Sequence, residues 1–197
     1  MYQKREFDRF TTDIAEPLSD RGTINGSHRK DNGSRGIGEI NKGERCQELT
    51  MTPIQQTLRD VLYKPSWEGW WAITLTMKQG VDRQRLDEMT GSQNFRHFMN
   101  VLTKKVFGNT GIRFGRKIEV IPVIERSPAG RLHYHIAMKV PESIEIDRFE
   151  RLVEESWRKS RFGYRELKIE RELDDGWIDY MTKTNNWNEV DWQNYSA

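Results

Sequence analysis

The stretch "KIEVIPVIERSPAGRLHYHIAMKV", residues 117–140, decides the fold. Two apolar, β-branched runs flank the polar "RSPAG" (126–130). Pro and Gly inside so short a polar break mark a tight connection, so the pattern predicts a β-hairpin. Successive side chains of a strand point to opposite faces. Leu132, Tyr134, Ile136, Met138 and Val140 therefore share an apolar face, expected to lie on helices. His133, His135, Ala137 and Lys139 share the other. Pro122, which has no N–H, points to an edge strand or a bulge in the first arm.

Two strand rises separate the imidazoles of His133 and His135 by roughly 7 Å, close enough to reach one ion. With Arg126 to Gly130 as the loop, Glu125 pairs with Arg131 and Val123 with His133. Glu125 then falls on the histidine face, diagonal to His133. Two histidines two apart also suit a plain solvated sheet face. The convergent carboxylate is what points to a divalent ion with open positions, able to polarise a phosphoryl oxygen. His28 and His97 have no comparable partners.

Outward from the hairpin, "TPIQQTLRDVLY" (52–63) predicts a helix capped by Thr52, with Pro53 at its first position and Ile54, Leu58 and Leu62 on its apolar side. "WWAITLTMK" (70–78) is a buried strand. "SQNFRHFMNVLTKKVFG" (92–108) carries a helical stripe of Phe95, Phe98, Met99, Leu102 and Val106, ended by Gly108. "EIDRFERLVEESWRKS" (145–160) is amphipathic through Ile146, Phe149, Leu152, Val153 and Trp157. "YRELKIER" (164–171) is a strand, and "DDGWIDYMTKT" (174–184) a short helix with acids in its first turn, where they suit the dipole. The order is helix, strand, helix, strand, strand, helix, strand, helix. It implies an α+β fold, an antiparallel sheet with helices packed on one face.

The chain has 197 residues and a formal charge of +2, so global charge says little about partners. Placement says more: Ser92 to Ile118 holds no acid but carries Arg96, Lys104, Lys105, Arg113, Arg116 and Lys117. Such a run attracts phosphate, and it equally fits a solvated helix and loop. Seven Trp and eight Phe supply a core and also faces on which bases could stack. A single cysteine, Cys46, excludes an intrachain disulfide and fits a reducing cytoplasm. The start has no apolar signal region and no stretch approaches a membrane span, so a cytoplasmic protein without membrane contact is expected. Residues 1–50, including "SDRGTINGSHRKDNGSRGIGEINKGE" (19–44), are too polar to offset their ordering entropy. They are expected to form a flexible, disordered tail, with a short helix near Arg5 to Ile14, ahead of one folded domain at 51–197.

Tyr180 and Lys183 are spaced i and i+3, on one face of the last helix. A tyrosine hydroxyl can act as a nucleophile when a cation steadies the developing charge. A tyrosine packed at a helix edge beside a surface lysine has the same spacing. Among the six tyrosines only Tyr180 has a lysine three residues on, with Tyr63, Tyr164 and Tyr195 as weaker candidates.

Taken in order, "AITLT" (72–76), Glu125, "HYH" (133–135) and "YMTK" (180–183) resemble the motifs of the HUH endonucleases. Within that superfamily they are most similar to the single-tyrosine rolling-circle replication initiators (Rep). The tyrosine follows the histidines, unlike in relaxases, and Lys183 stands where single-strand transposases tend to carry glutamine. The resemblance spans about Trp67 to Trp187. It implies a ferredoxin-like core with the metal on the open sheet face, Mg²⁺ or Mn²⁺ held by Glu125, His133 and His135. It also implies that Tyr180 attacks a single-stranded DNA or an extruded origin hairpin, and that Lys183 positions phosphate or metal. The product is a 5′-phosphotyrosine and a free 3′-hydroxyl. One motif tyrosine argues against a two-tyrosine scheme. No G-x-x-x-x-G-K-[ST] occurs, so unwinding implies a separate helicase. A single-strand transposase of the same superfamily, or a non-cutting DNA-binding module on the same fold, remain as alternatives.

Overall fold

A computed structural model describes residues 52–184 and 186–197. The expected tail at 1–50 and its short helix lie outside them. The elements are α1 (Pro53–Leu62), β1 (Trp70–Met77), β2 (Gly80–Val81), β3 (Gln84–Arg85), α2 (Glu88–Arg113), β4 (Val120–Arg126), β5 (Leu132–Lys139), α3 (Ile146–Lys159), β6 (Gly163–Glu170) and α4 (Asp175–Met181). β2 and β3 form a small separate hairpin. The main sheet is antiparallel in the order β4-β5-β1-β6. β1-α2-β4-β5-α3-β6 is thus the βαββαβ arrangement of ferredoxin-like folds. The histidine strand β5 is central.

The two long helices lie on the apolar face of the sheet, as alternation in β5 predicts. Phe95, Phe98 and Leu102 of α2 and Phe149, Val153 and Trp157 of α3 bury against Leu132, Tyr134, Ile136 and Met138. Phe95 stacks on Tyr134 at 4.6 Å, and the Phe98 ring meets Trp157 edge-on at 5.3 Å. α2 starts four residues before the expected Ser92, because Asp87 caps it by accepting from the Thr90 N–H (2.7 Å). Gly108, at φ 65°, breaks its helical run. Thr52 and Gln55 complete a capping box on α1. Ile54 and Ile146, expected in the apolar stripes, are 51% and 49% exposed. Each sits in the first turn of its helix.

The hairpin register differs from the expected one by two residues. Glu125 pairs with His133, Val123 with His135, and Arg126 with Leu132. The loop is shorter than expected because Ser127 N–H donates to Arg131 O (2.9 Å) and Gly130 N–H to Ser127 O (2.8 Å). Gly130, at φ 77°, then returns the chain, in the manner of a three-residue turn with a bulge. A shift of two preserves which face each side chain takes. Glu125 therefore stays on the histidine face, directly opposite His133.

β4 is an edge strand, as Pro122 implies, and residues 190–196 cover it. Val120 and Ser196 exchange backbone hydrogen bonds (2.6 and 3.0 Å), and Asp191 N–H donates to Pro122 O (2.9 Å). The buried Asp191 carboxylate accepts from Tyr134 Oη (2.8 Å), Ser92 Oγ (2.9 Å) and Asn194 Nδ2 (2.7 Å). This pins the C-terminal strap to the core through the middle residue of "HYH". Asp191→Ala leaves the Tyr134 hydroxyl buried without its acceptor. It should lower unfolding free energy by about 1–3 kcal/mol in urea titrations. An unchanged midpoint would show that the carboxylate contacts of the strap add nothing.

Candidate metal centre and nucleophile

Three strands bring the site together. β4 supplies Glu125, β5 supplies His133 and His135, and β1 places Thr74 beside His135 and Thr76 beside His133. Glu125 Oε2 lies 3.2 Å from His135 Nε2 and 3.8 Å from His133 Nε2. The two Nε2 atoms are 2.9 Å apart, and the rings meet edge-on. One ligand atom from each residue falls within 4.8 Å of the others. On the side away from Glu125, His135 Nδ1 lies 3.1 Å from Thr74 Oγ1.

The histidine face is covered as well as lined. Ala72, Ile121, Val123 and Ala137 share its parity and are buried. α4 lies on it, with Trp177 and Tyr180 edge-on to the His135 ring at 5.6 and 5.0 Å. Asp174 caps α4 by accepting from Trp177 N–H (3.2 Å). Trp177 Nε1 donates to Ile136 O (3.2 Å), and its ring stacks on Tyr180 (5.4 Å). α1 and the segment after it brace α4 from outside: Arg59 of α1 pairs with Asp179 (3.6 Å), and Trp67 Nε1, beyond the helix, donates to Asp175 (2.9 Å).

Lys183 is not on the helix. α4 ends at Met181, and Lys183 stands in the turn that follows. That turn still folds its ammonium over the Tyr180 ring, 4.0 Å from the centroid, and onto Glu125 Oε2 at 3.1 Å.

The protonation states suit ligands. Burial opposes ionisation of Glu125, but hydrogen bonds from His135 and Lys183 outweigh it and lower the carboxyl to about 2. Burial, helped by the neighbouring His135, lowers His133 to about 4. Burial also lowers His135, which is 3% exposed. Burial disfavours the charged Lys183, yet its bond to Glu125 and the nearby Tyr180 phenol raise it. At neutral pH the cluster thus presents an ionised carboxylate and two neutral imidazoles, the forms that bind a cation. The donor set fits a divalent ion.

The other candidate tyrosines stand apart. Tyr63 reaches Asp175 (3.5 Å), Tyr164 lies by Arg165, and Tyr195 packs on Trp192 and Lys64. Among the described residues, Tyr180 is the tyrosine in ring contact with the triad. The basic residues do not join this site. α2 packs on the opposite face of the sheet. Arg96 donates to Gln193 and Asn194, Lys105 pairs with Glu155 (3.3 Å), and Arg116 lies over Phe107. Lys104, Arg113 and Lys117 are exposed, as is His97. Sequence reasoning missed Thr74 and Trp177. Thr74 shares the alternation parity of "AITLT", the one signal that could have found it.

A profile of the replication-associated protein ORF2 family matches residues 70–185. The chain belongs to this family. The matched span runs from the first residue of β1 past Lys183 and contains every member of the metal and tyrosine cluster. The strap that covers β4 lies beyond it. No curated protein matches the chain, and no solved structure does. Among the described residues no helix is long and apolar enough to cross a membrane.

Proposed function

We propose that this replication-associated protein is a Rep-type nickase and ligase of the HUH kind. It cleaves single-stranded DNA, or an origin hairpin, to start rolling-circle replication. One observation carries the reading: Tyr180 packs against His135 of a Glu125–His133–His135 donor set, with Lys183 bridging Tyr180 and Glu125. Membership in a replication-associated family supports an initiator over a transposase.

Glu125, His133 and His135 would hold Mg²⁺ or Mn²⁺. When bound, such an ion supplies Lewis-acid polarisation of a phosphoryl oxygen. Tyr180 Oη attacks the scissile phosphorus and gives its proton to water. The P–Oη bond forms as the P–O3′ bond breaks, and O3′ takes a proton from water. Lys183 steadies the negative charge that develops on the phenol oxygen and the phosphate. One phosphodiester is exchanged for another, so the reverse attack reseals DNA without a nucleotide cofactor. The free 3′-hydroxyl primes synthesis, with unwinding by a separate helicase. Trp177, stacked on Tyr180 and bonded to the β5 backbone, limits the nucleophile to a narrow range of positions.

The test is incubation of the full chain with labelled single-stranded origin DNA and Mn²⁺. A nicked strand and a covalent protein–DNA band are expected. Persistent binding with neither product would favour the non-cutting module. In this reading the exposed charges of the basic span grip backbone phosphates of flanking DNA, since α2 lies across the sheet from Tyr180. Replacing Lys104 and Lys117 with Gln should lower the salt slope of binding by roughly one per lost contact. An unchanged slope would reduce these lysines to a solvated surface.

A further inference from the structure

Thr74 of β1 is the register partner of His135 of β5, and Glu125 of β4, opposite His133, reaches His135 on the diagonal. His135 Nδ1 faces Thr74 Oγ1 at 3.1 Å, and Nε2 faces Glu125 Oε2 at 3.2 Å. A neutral imidazole carries one proton, so the partners at its two nitrogens decide which atom keeps a free lone pair. If Nε2 holds the proton, it donates to Glu125 and Thr74 donates to Nδ1. Nε2 then cannot ligate. If Nδ1 holds the proton, Thr74 Oγ1 accepts it and Nε2 is free toward Glu125 and His133.

We infer that Thr74 is a positioning residue for the metal centre, its hydroxyl accepting the Nδ1 proton so that His135 offers Nε2 as a ligand. This rests on the metal-centre reading above. Three features support it. Thr74 and His135 are register partners in the two central strands, so the contact is fixed by the backbone ladder. His135 is buried to 3% exposure, so water is poorly placed to take over the Nδ1 partner. A hydroxyl can donate or accept, so Thr74 serves His135 in either tautomer without moving. Valine has nearly the same shape but no acceptor. In Thr74→Val both tautomers lose the partner at Nδ1, but the ligating one leaves a buried N–H unpaired, while the other leaves only a bare ring nitrogen, keeps its N–H on Glu125 and competes with the ion.

The experiment is Mn²⁺ titration of the full chain, read from the free-ion electron paramagnetic resonance signal, with thermal melts alongside. Thr74→Val should weaken Mn²⁺ binding by about tenfold to a hundredfold and keep a cooperative melt. Thr74→Ser, which retains the oxygen, should stay within about threefold of wild type. Wild-type affinity in Thr74→Val would overturn the inference. So would a serine variant as weak as the valine one, since the methyl would then be what matters. A wild-type chain that takes up no Mn²⁺ would remove the metal centre and this role together. Weakened binding in Thr74→Val beside a wild type that never nicks DNA supports the role and overturns only the nuclease reading.

Discussion

Tyr180→Phe is expected to abolish both the nick and the covalent protein–DNA species, a fall of about a thousandfold or more in cleavage rate. The substitution removes one oxygen. Tyr180 is half-buried, and its ring contacts with His135, Trp177 and Lys183 are available to phenylalanine. Stability should therefore shift by no more than about 1 kcal/mol. DNA and Mn²⁺ binding should persist. Losing the hydroxyl removes the nucleophile itself, whereas Lys183→Ala removes only a charge beside it. Lys183→Ala should accordingly slow cleavage without ending it, by about a hundredfold. Residual adduct at wild-type rate in Tyr180→Phe would move the nucleophile elsewhere, with Tyr164 and Tyr195 the next candidates.

The second large effect is metal removal. Excess EDTA should end cleavage, and added Mn²⁺ should restore it. DNA binding should largely survive, because phosphate contacts supply most non-specific affinity. His135→Ala should reproduce the chelated state, although truncating so buried a ring also costs about 1–3 kcal/mol of stability. His133→Ala is the cleaner control, since that side chain is less deeply buried. Both variants should fold, as judged by cooperative melts, and neither should be rescued by Mn²⁺. Nicking at full rate in excess EDTA would remove the metal assignment and leave the tyrosine to be explained without it.

Much of the triad was legible in the sequence for a specific reason. Strand alternation has a period of two, and the register error in the hairpin was also two. Glu125 therefore kept its face even though its partner was misjudged. The α+β order was legible because the long stripes of α2 and α3 and the β-branched runs are strongly periodic. Less regular segments were not. β2 and β3 are two residues each, too short for any period. The strap at 190–196 pairs with β4 through backbone atoms and is pinned to Tyr134 and Ser92 by a single buried carboxylate, contacts that leave no periodic pattern to read. Asp87 was overlooked as a cap because Gly91 interrupts the first turns of α2. Thr74 needed more than its own strand. Its role depends on β1 lying beside β5 in one register, a long-range pairing that local pattern does not encode. The side-chain site likewise reaches beyond the triad only because α4 folds back over the histidine face.

The central claim is that Tyr180 becomes covalently joined to DNA at this donor set. The most direct measurement is peptide mapping of the wild-type adduct formed on single-stranded DNA with Mn²⁺. Trypsin should release Glu172–Lys183, and fragmentation should place the nucleotide mass on Tyr180. A nucleotide on a peptide holding Tyr164 or Tyr195, with Glu172–Lys183 unmodified, would contradict the account.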